Sequence, residues 1–165
     1  MFKLAGIQDM NQKERLRYML LLTKSQLSSE NDDLANISNV TGIIMACIDE
    51  LNWAGFYFLR DNELVLGPFQ GLPACNRIEI GKGVCGTAVK TREVQLVDDV
   101  HEFPGHIACD DASNAELVIP IIKDEKLYGV LDLDSPMKNR FTDLEEEYFI
   151  KLVDILNENI NWKNI

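Results

Sequence analysis

Two stretches in the N-terminal part of the chain carry apolar residues at helical spacing. Between Asn11 and Ser28, leucine and methionine recur every three or four positions beside lysine, arginine and glutamate, which indicates an amphipathic helix. A second helix is predicted to begin after Asn31 or Asp32, because both residue types favour the N-cap position. Its apolar stripe consists of Leu34, Ile37, Val40, Ile44, Cys47, Ile48 and Leu51.

The pattern then changes to the alternation that is typical of β-strands. The predicted strands cover residues 53–60, 64–69, 77–80, 94–97, 117–122 and 127–133. The first two and the last two form predicted hairpins, and a helix is expected from the glycine-rich segment 81–86 through Lys90. A last helix opens with Thr142 and Glu145 in a capping-box pattern. This order of elements predicts an α+β domain, with an antiparallel sheet packed against helices.

Length and charge narrow the class of protein. The chain has 165 residues, with 16 lysines and arginines against 27 aspartates and glutamates, and a formal net charge of −11. A chain of this length is expected to form one domain, residues 1–165. The acidic balance argues against a nucleic acid or a membrane surface as partner, because both require a basic surface. We see no signal peptide and no membrane-spanning run, so we expect a cytoplasmic protein.

The cysteines are the first candidates for chemistry, because structural disulfides are rare in a reducing cytoplasm. Cys47 lies on the apolar stripe of the second helix and is predicted to be a buried structural residue. Cys85 lies at a glycine-rich helix start, where the helix dipole and free amides can lower a thiol pKa. Cys109 lies with His101 and His106 in an irregular segment, 98–115, whose length is typical of functional or disordered loops.

A zinc site is the alternative interpretation of these residues. His101, His106 and Cys109 are close in sequence, but zinc requires four ligands, which usually come in closely spaced pairs. Cys75 and Cys85 do not form such a pair, and the chain has no CxxC motif. Thiol chemistry is therefore favoured over zinc, and we expect no metal.

Carboxylates and aromatic residues form a second group of candidates. Asp132 and Asp134 are two positions apart on one strand and point to the same side, and Glu116 immediately precedes the neighbouring strand. These acids form either a solvated strand end or a pocket that binds a cation or keeps one carboxyl protonated. Trp53 and Tyr57 alternate on the first strand, either as core residues or as rings that contact a methyl or cationic group.

Five segments, taken together and in this order, resemble the free methionine-(R)-sulfoxide reductases, which are single-domain enzymes with the GAF fold. The segments are NWAGFY at 52–57, LGPFQG at 66–71, GVCGTA at 83–88, GHIACD at 105–110 and GVLDLDS at 129–135. The likeness extends over nearly all of residues 10–160. It implies a GAF domain with a central antiparallel sheet flanked by helices. It also implies reduction of the free amino acid rather than of protein-bound methionine.

The resemblance also implies roles for three cysteines. Cys109 matches the attacking thiol and Cys75 the resolving thiol, while Cys85 matches a third cysteine that is an alternative nucleophile. Release of methionine would leave the attacking cysteine as a sulfenic acid, which then forms a disulfide, expected between Cys75 and Cys109 with Cys47 left free. No bound cofactor is expected, and thioredoxin or another dithiol would regenerate the enzyme.

The remaining site residues are also assigned by resemblance. The implied substrate-binding residues are Trp53, Tyr57, Glu116, Asp132 and Asp134. Glu116 or Asp134 would donate the proton to the departing oxygen, while Asp132 and Asp134 would pair with the substrate ammonium. Amides of the turn 81–86 and the following helix start would bind the substrate carboxylate.

Two further expectations remain. A non-catalytic GAF module that binds a small ligand is the alternative function, because fold does not determine function. Only five residues follow Ile160, so no output domain is expected. The helix over residues 11–28 is a candidate surface for homodimer formation, and the sequence leaves the oligomeric state open.

Overall fold

The computed structural model describes residues 6–105 and 112–165 and confirms the α+β class. Its strands are β1 (Trp53–Arg60), β2 (Glu63–Gln70), β3 (Arg77–Glu79), β4 (Gln95–Val97), β5 (Ala115–Lys123) and β6 (Lys126–Ser135). They form one antiparallel sheet in the order β3-β2-β1-β6-β5-β4. The helices are α1 (Gln12–Ser29), α2 (Asp33–Cys47), α3 (Gly83–Thr91) and α4 (Asp143–Asn159), with short 3₁₀ helices at Ile7–Asp9, Val100–Glu102 and Trp162–Asn164.

The long helices begin where polar side chains satisfy their first backbone amides. Asn11 caps α1 and Thr142 caps α4, each in a reciprocal capping box with the glutamate three positions later. Asp32 caps α2 by accepting a hydrogen bond from the amide of Ala35. The α4 box is buried, because Glu145 is 0% exposed and also pairs with Arg140 at 3.1 Å.

The predicted stripe of α2 is wrong at both ends. Leu34 is 55% exposed, because it lies in the first turn of α2, away from the core. The helix ends at Cys47, so Ile48 is its C-cap and Leu51 lies in the connection to β1. The apolar pattern of the sequence runs past the end of the helix because Ile48 is also buried. It packs on the same core, although its backbone is extended and not helical.

The two faces of the sheet bury different side chains. Alternate residues of a strand point to opposite faces, so Ala54, Phe56 and Phe58 of β1 pack beneath α1, α2 and α4. Trp53 and Tyr57 of the same strand pack on the other face, in a smaller cluster with residues of α3. The large core therefore lies on one side of the sheet, and chemistry-bearing residues collect on the other.

Strands β5 and β6 extend further than the sequence predicts. Glu116 does not precede β5 but is its second residue, and Asp132 and Asp134 lie within β6. The ladder between β5 and β6 continues to the pair Ala115 and Ser135, which holds these acids in regular strand geometry. Among the described residues, no helix is both long and apolar enough to cross a membrane.

Gly129→Ala is expected to destabilise the fold. A Cβ at Gly129 would lie 2.0 Å from the Tyr57 carbonyl oxygen, because β1 and β6 approach closely there. Such overpacking lowers the free energy of unfolding by about 1–3 kcal/mol.

Gly42→Ala is the matched control, since its Cβ meets nothing within 4 Å inside α2. Alanine there should raise the free energy of unfolding by up to about 1 kcal/mol. Urea denaturation of both variants checks the prediction, and a Gly129→Ala protein as stable as the parent would contradict it.

Candidate active site

The register of three neighbouring strands brings the predicted site residues together. On β1, Trp53 lies opposite Asp134 of β6, and Gly55 lies opposite Asp132. On β5, Glu116 lies opposite Asp134 from the other side. These positions share the sheet face that α3 covers. Residues two apart on one strand point to the same face, and so do residues that lie directly opposite each other on neighbouring strands. The prediction that Asp132 and Asp134 point the same way agrees with this register.

Cys85 reaches the same place from the first turn of α3. Its Sγ donates a hydrogen bond to Glu116 Oε1 at 3.8 Å, and both side chains are buried. Gly86 permits this approach, because a Cβ there would lie 2.4 Å from the carbonyl oxygen of Glu79 at the end of β3. The start of α3 can therefore pack closely enough to bring the thiol to the sheet.

Glu116 and Asp132 are buried, which argues against a solvated strand end for these two acids. Glu116 is 7% exposed and Asp132 is 5% exposed, whereas Asp134 is half-buried. Burial raises the pKa of Glu116 well above its usual value, and the charges of Asp132 and Asp134 add to this. Burial also raises the pKa of Asp132 to about 6. Both shifts favour the protonated form of these carboxyl groups, and that of Glu116 most strongly.

The prediction that the helix start lowers the Cys85 pKa is wrong. Burial raises the pKa of this thiol well above its usual value, and the charges of Asp132 and Glu116 raise it further. A helix N-terminus favours a thiolate by a modest amount, whereas removal from water and nearby negative charges oppose it more strongly. Cys85 is therefore held as a neutral thiol.

The turn before α3 offers fewer amides than the sequence predicts. The backbone N–H groups of Gly81 and Gly83 donate to the carbonyls of Gly86 and Gly105, respectively. Those of Lys82 and Gly86 also donate within the protein. In the segment 81–86, the amides of Val84 and Cys85 are the donors that remain for a ligand.

Aromatic side chains form a stack beside the acids. The ring centroid of Trp53 lies 5.8 Å from that of Tyr57 and 5.4 Å from that of Phe69, with nearly parallel planes. Trp53 Nε1 is buried and has no hydrogen-bond partner among the described residues. Sequence reasoning missed Phe69, although its position opposite Gly55 on β2 places it on the same face.

Two glycines leave room for the indole. A Cβ at Gly55 would lie 2.5 Å from Trp53 Cη2, and a Cβ at Gly71 would lie 2.6 Å from Trp53 Cδ1. Gly71 also has φ of +130°, a conformation that other residues rarely adopt. The position of Trp53 therefore depends on the absence of side chains at both sites, which the sequence analysis did not anticipate.

The cysteines are distributed between the two faces. Cys47 is free and fully buried in the large core, as the sequence predicts, and burial raises its pKa to about 11. Cys75 is disulfide-bonded, and its carbonyl accepts a hydrogen bond from the Tyr57 hydroxyl at 3.0 Å. Cys109, the predicted attacking thiol, and His106 lie outside the described residues.

Metal-ligating groups meet at one point in the described part of the chain. One ligand atom each from Cys85, Glu116 and Asp132 lie within 4.8 Å of one another. His101, a ligand of the alternative zinc interpretation, is exposed, and its Nε2 lies 3.0 Å from Asn114 Oδ1. The histidine therefore lies outside the group that the fold brings together.

Comparison with known proteins agrees with this architecture. The model of the GAF domain family matches residues 36–160. Free methionine-R-sulfoxide reductase of Escherichia coli (strain K12) is 50% identical over 127 residues, which cover 77% of each chain. The reductase of the same name from Saccharomyces cerevisiae is 40% identical over 163 residues, 94% of this chain and 91% of the relative.

A solved structure of free methionine-R-sulfoxide reductase from Neisseria meningitidis, in complex with its substrate, superposes with a TM-score of 0.89. It is 34% identical and covers 94% of this chain and 93% of its own. The fold, the family match and relatives at this level of identity lead to one assignment. The chain belongs to the GAF-domain family of free methionine-R-sulfoxide reductases.

Proposed function

We propose that the protein reduces free L-methionine-(R)-sulfoxide to methionine. The observation that carries the proposal is the buried group of Glu116, Asp132 and Cys85, which lies on the same sheet face as the Trp53 stack. A polar group that holds protons beside a flat apolar surface suits a substrate with a sulfoxide oxygen at one point and a methyl group beside it. The relatives named for this activity support the same conclusion.

Recognition of a free amino acid requires partners for an ammonium and a carboxylate. We assign the ammonium to Asp132 and Asp134, because both carboxyl groups lie on the site face of β6. The amides of Val84 and Cys85 are assigned to the carboxylate, since they are the available donors of the turn and helix start. The apolar end of the substrate lies against the indole of Trp53.

The chemistry then requires a soft nucleophile and a proton. The attacking thiolate bonds to the sulfoxide sulfur, and the carboxyl group of Glu116, whose pKa is raised, gives its proton to the oxygen. The protonated oxygen then moves to the cysteine sulfur as the substrate S–O bond and the new sulfur–sulfur bond break, so methionine is released and a sulfenic acid remains on the cysteine. A second thiol displaces this oxygen as water and forms a disulfide. A dithiol such as thioredoxin supplies two electrons and two protons, which restore both thiols.

We assign the attack to Cys109 and the resolving step to Cys75. Cys85 is 3% exposed and donates a hydrogen bond to Glu116, and its burial opposes formation of its thiolate. Cys75 is already disulfide-bonded in this structure, which is the state expected at the end of an oxidative half-cycle. Cys85 then serves to fill the floor of the pocket and to contact the Glu116 carboxyl group.

Turnover assays with separated substrates test the function. We expect consumption of free methionine-(R)-sulfoxide with thioredoxin or dithiothreitol as reductant, because the site provides partners for a free ammonium and carboxylate. The free S epimer and a sulfoxide-containing peptide serve as controls and should remain unchanged. Binding of the R epimer without methionine formation would contradict the proposal and favour a ligand-binding GAF module.

A further inference from the structure

One thiol and two carboxyl groups of the pocket have the chemistry of a metal site. We propose that Cys85, Glu116 and Asp132 bind a thiophilic divalent cation of the Zn²⁺ type. We refer to these three residues as the thiol–carboxylate cluster. The inference concerns a ligand that the reaction does not use, and it stands whether or not the reductase proposal is correct.

The spacing of the cluster is close to that of a tetrahedral site. Cys85 Sγ and Glu116 Oε1 are 3.8 Å apart, and the ligand atoms of all three residues lie within 4.8 Å of one another. Bond lengths of roughly 2.3 Å to sulfur and 2.0 Å to oxygen place two tetrahedral ligands about 3.5 Å apart. The most widely separated pair of donors would therefore have to approach by at most about 1.3 Å to surround one ion, which small side-chain rotations can supply.

One buried oxygen of this cluster has no hydrogen-bond partner among the described residues. It is Asp132 Oδ1, on a side chain that is 5% exposed, while the carboxyl group as a whole interacts with Cys85 and Glu116. Leaving a buried polar atom unsatisfied is unfavourable, and a cation would satisfy it. This oxygen distinguishes the cluster from acids that only face solvent.

The surrounding charges favour a cation. Asp134 lies directly across from Glu116 in the β5–β6 ladder and acts on the cluster as a further negative charge. Val84 and Ala88 of α3 are buried in the same cluster as Cys85, and as apolar residues they bring no positive charge. A divalent ion would therefore neutralise the negative charge that these buried acids carry when they are ionised.

The ligand types select the class of ion. Mg²⁺ and Ca²⁺ prefer sets made only of oxygen atoms, whereas a thiolate selects softer ions such as Zn²⁺ and Cd²⁺. Three protein ligands leave the fourth position of a tetrahedral ion open, as in an accessible site. The ion would displace the thiol proton and occupy the space that the substrate ammonium and oxygen would use.

Titration with CdCl₂ tests the site directly, because a cadmium–thiolate bond gives an ultraviolet charge-transfer band. The protein is used with its Cys75 disulfide formed, and Cys47 and Cys85 are the free thiols of residues 6–105 and 112–165. We expect one band that saturates at one ion per chain and that ZnCl₂ reverses by competition. Cys47→Ala is the matched control and should leave the band unchanged.

Substitutions of the cluster give the outcomes that decide. Cys85→Ser should abolish the band, and Asp132→Asn should weaken Cd²⁺ binding at least about tenfold while the band at saturation persists. Circular dichroism checks that each variant is folded. If Cys85→Ser does not fold, the Cd²⁺ affinities of Asp132→Asn and Glu116→Gln decide the outcome. No band in the parent protein, a band lost in Cys47→Ala, or unchanged affinity in both carboxylate variants would overturn the proposal. Methionine formation does not enter these measurements, so failure of the reductase proposal would be seen separately.

Discussion

Gly55→Ala is expected to lower kcat/KM for free methionine-(R)-sulfoxide by about a hundredfold, because displacement of a substrate-contacting group by about 1 Å can have this effect. The new Cβ would lie 2.5 Å from Trp53 Cη2 and 2.4 Å from Phe69 Cβ, far inside ordinary contact distance. Phe69 is anchored in β2, so the indole is the group that must move. Because Gly55 lies opposite Asp132, the indole moves at the edge of the acidic pocket.

Gly67→Ala separates this effect from a general loss of stability. Its Cβ would lie 2.4 Å from Phe58 Cε2, an equally severe clash, but Phe58 belongs to the helix-side core. Both variants should lose stability in urea denaturation, while Gly67→Ala keeps kcat/KM within about threefold of the parent at a temperature where it is folded. Equal activity of the two folded variants would show that Gly55 does not position Trp53 for catalysis.

Cys109→Ser is expected to lower methionine formation at least about a thousandfold, because a serine hydroxyl cannot replace a thiolate at sulfur. Cys85→Ser is the matched comparison and should retain at least about a tenth of the parent rate, since a buried thiol contributes mainly packing. Cys85 contacts Glu116 at 3.8 Å, a distance that a hydroxyl at the same position can bridge only with local adjustment.

A single-turnover experiment identifies the attacking atom. Without reductant, the Cys85→Ser protein should release about one methionine per chain and leave a disulfide that includes Cys75, as peptide mass mapping would show. Cys109→Ser should release none. The reverse pattern, with release in Cys109→Ser and none in Cys85→Ser, would assign the attack to Cys85. It would also show that substrate binding overcomes the burial and negative charge that oppose its thiolate.

Local patterns predicted the elements well where short-range interactions determine them. The capping residues Asn11 and Thr142 are visible in the sequence, because each pairs with a glutamate three positions away. The first hairpin is equally local, since Asp61 and Asn62 both adopt positive φ at its turn. The family resemblance then indicated the GAF architecture, which the structure confirms.

What the sequence could not determine depends on contacts between distant residues. Alternation shows that Asp132 and Asp134 share a face, but only the packing of α3 makes that face a buried one. The same packing brings the acids to Cys85 and reverses the expected direction of its pKa shift. Leu34 fits a helical stripe, and its exposure follows from where the first turn of α2 lies relative to the sheet.

The division of β1 between two faces has a consequence for engineering. Positions 53, 55 and 57 line the pocket face, whereas positions 54, 56 and 58 pack under the long helices. A mutant library restricted to positions 53 and 57 and to their neighbours on β6 would vary the shape of the site while leaving the larger core unchanged. Position 55 would stay glycine, because a side chain there would clash with Trp53 and Phe69.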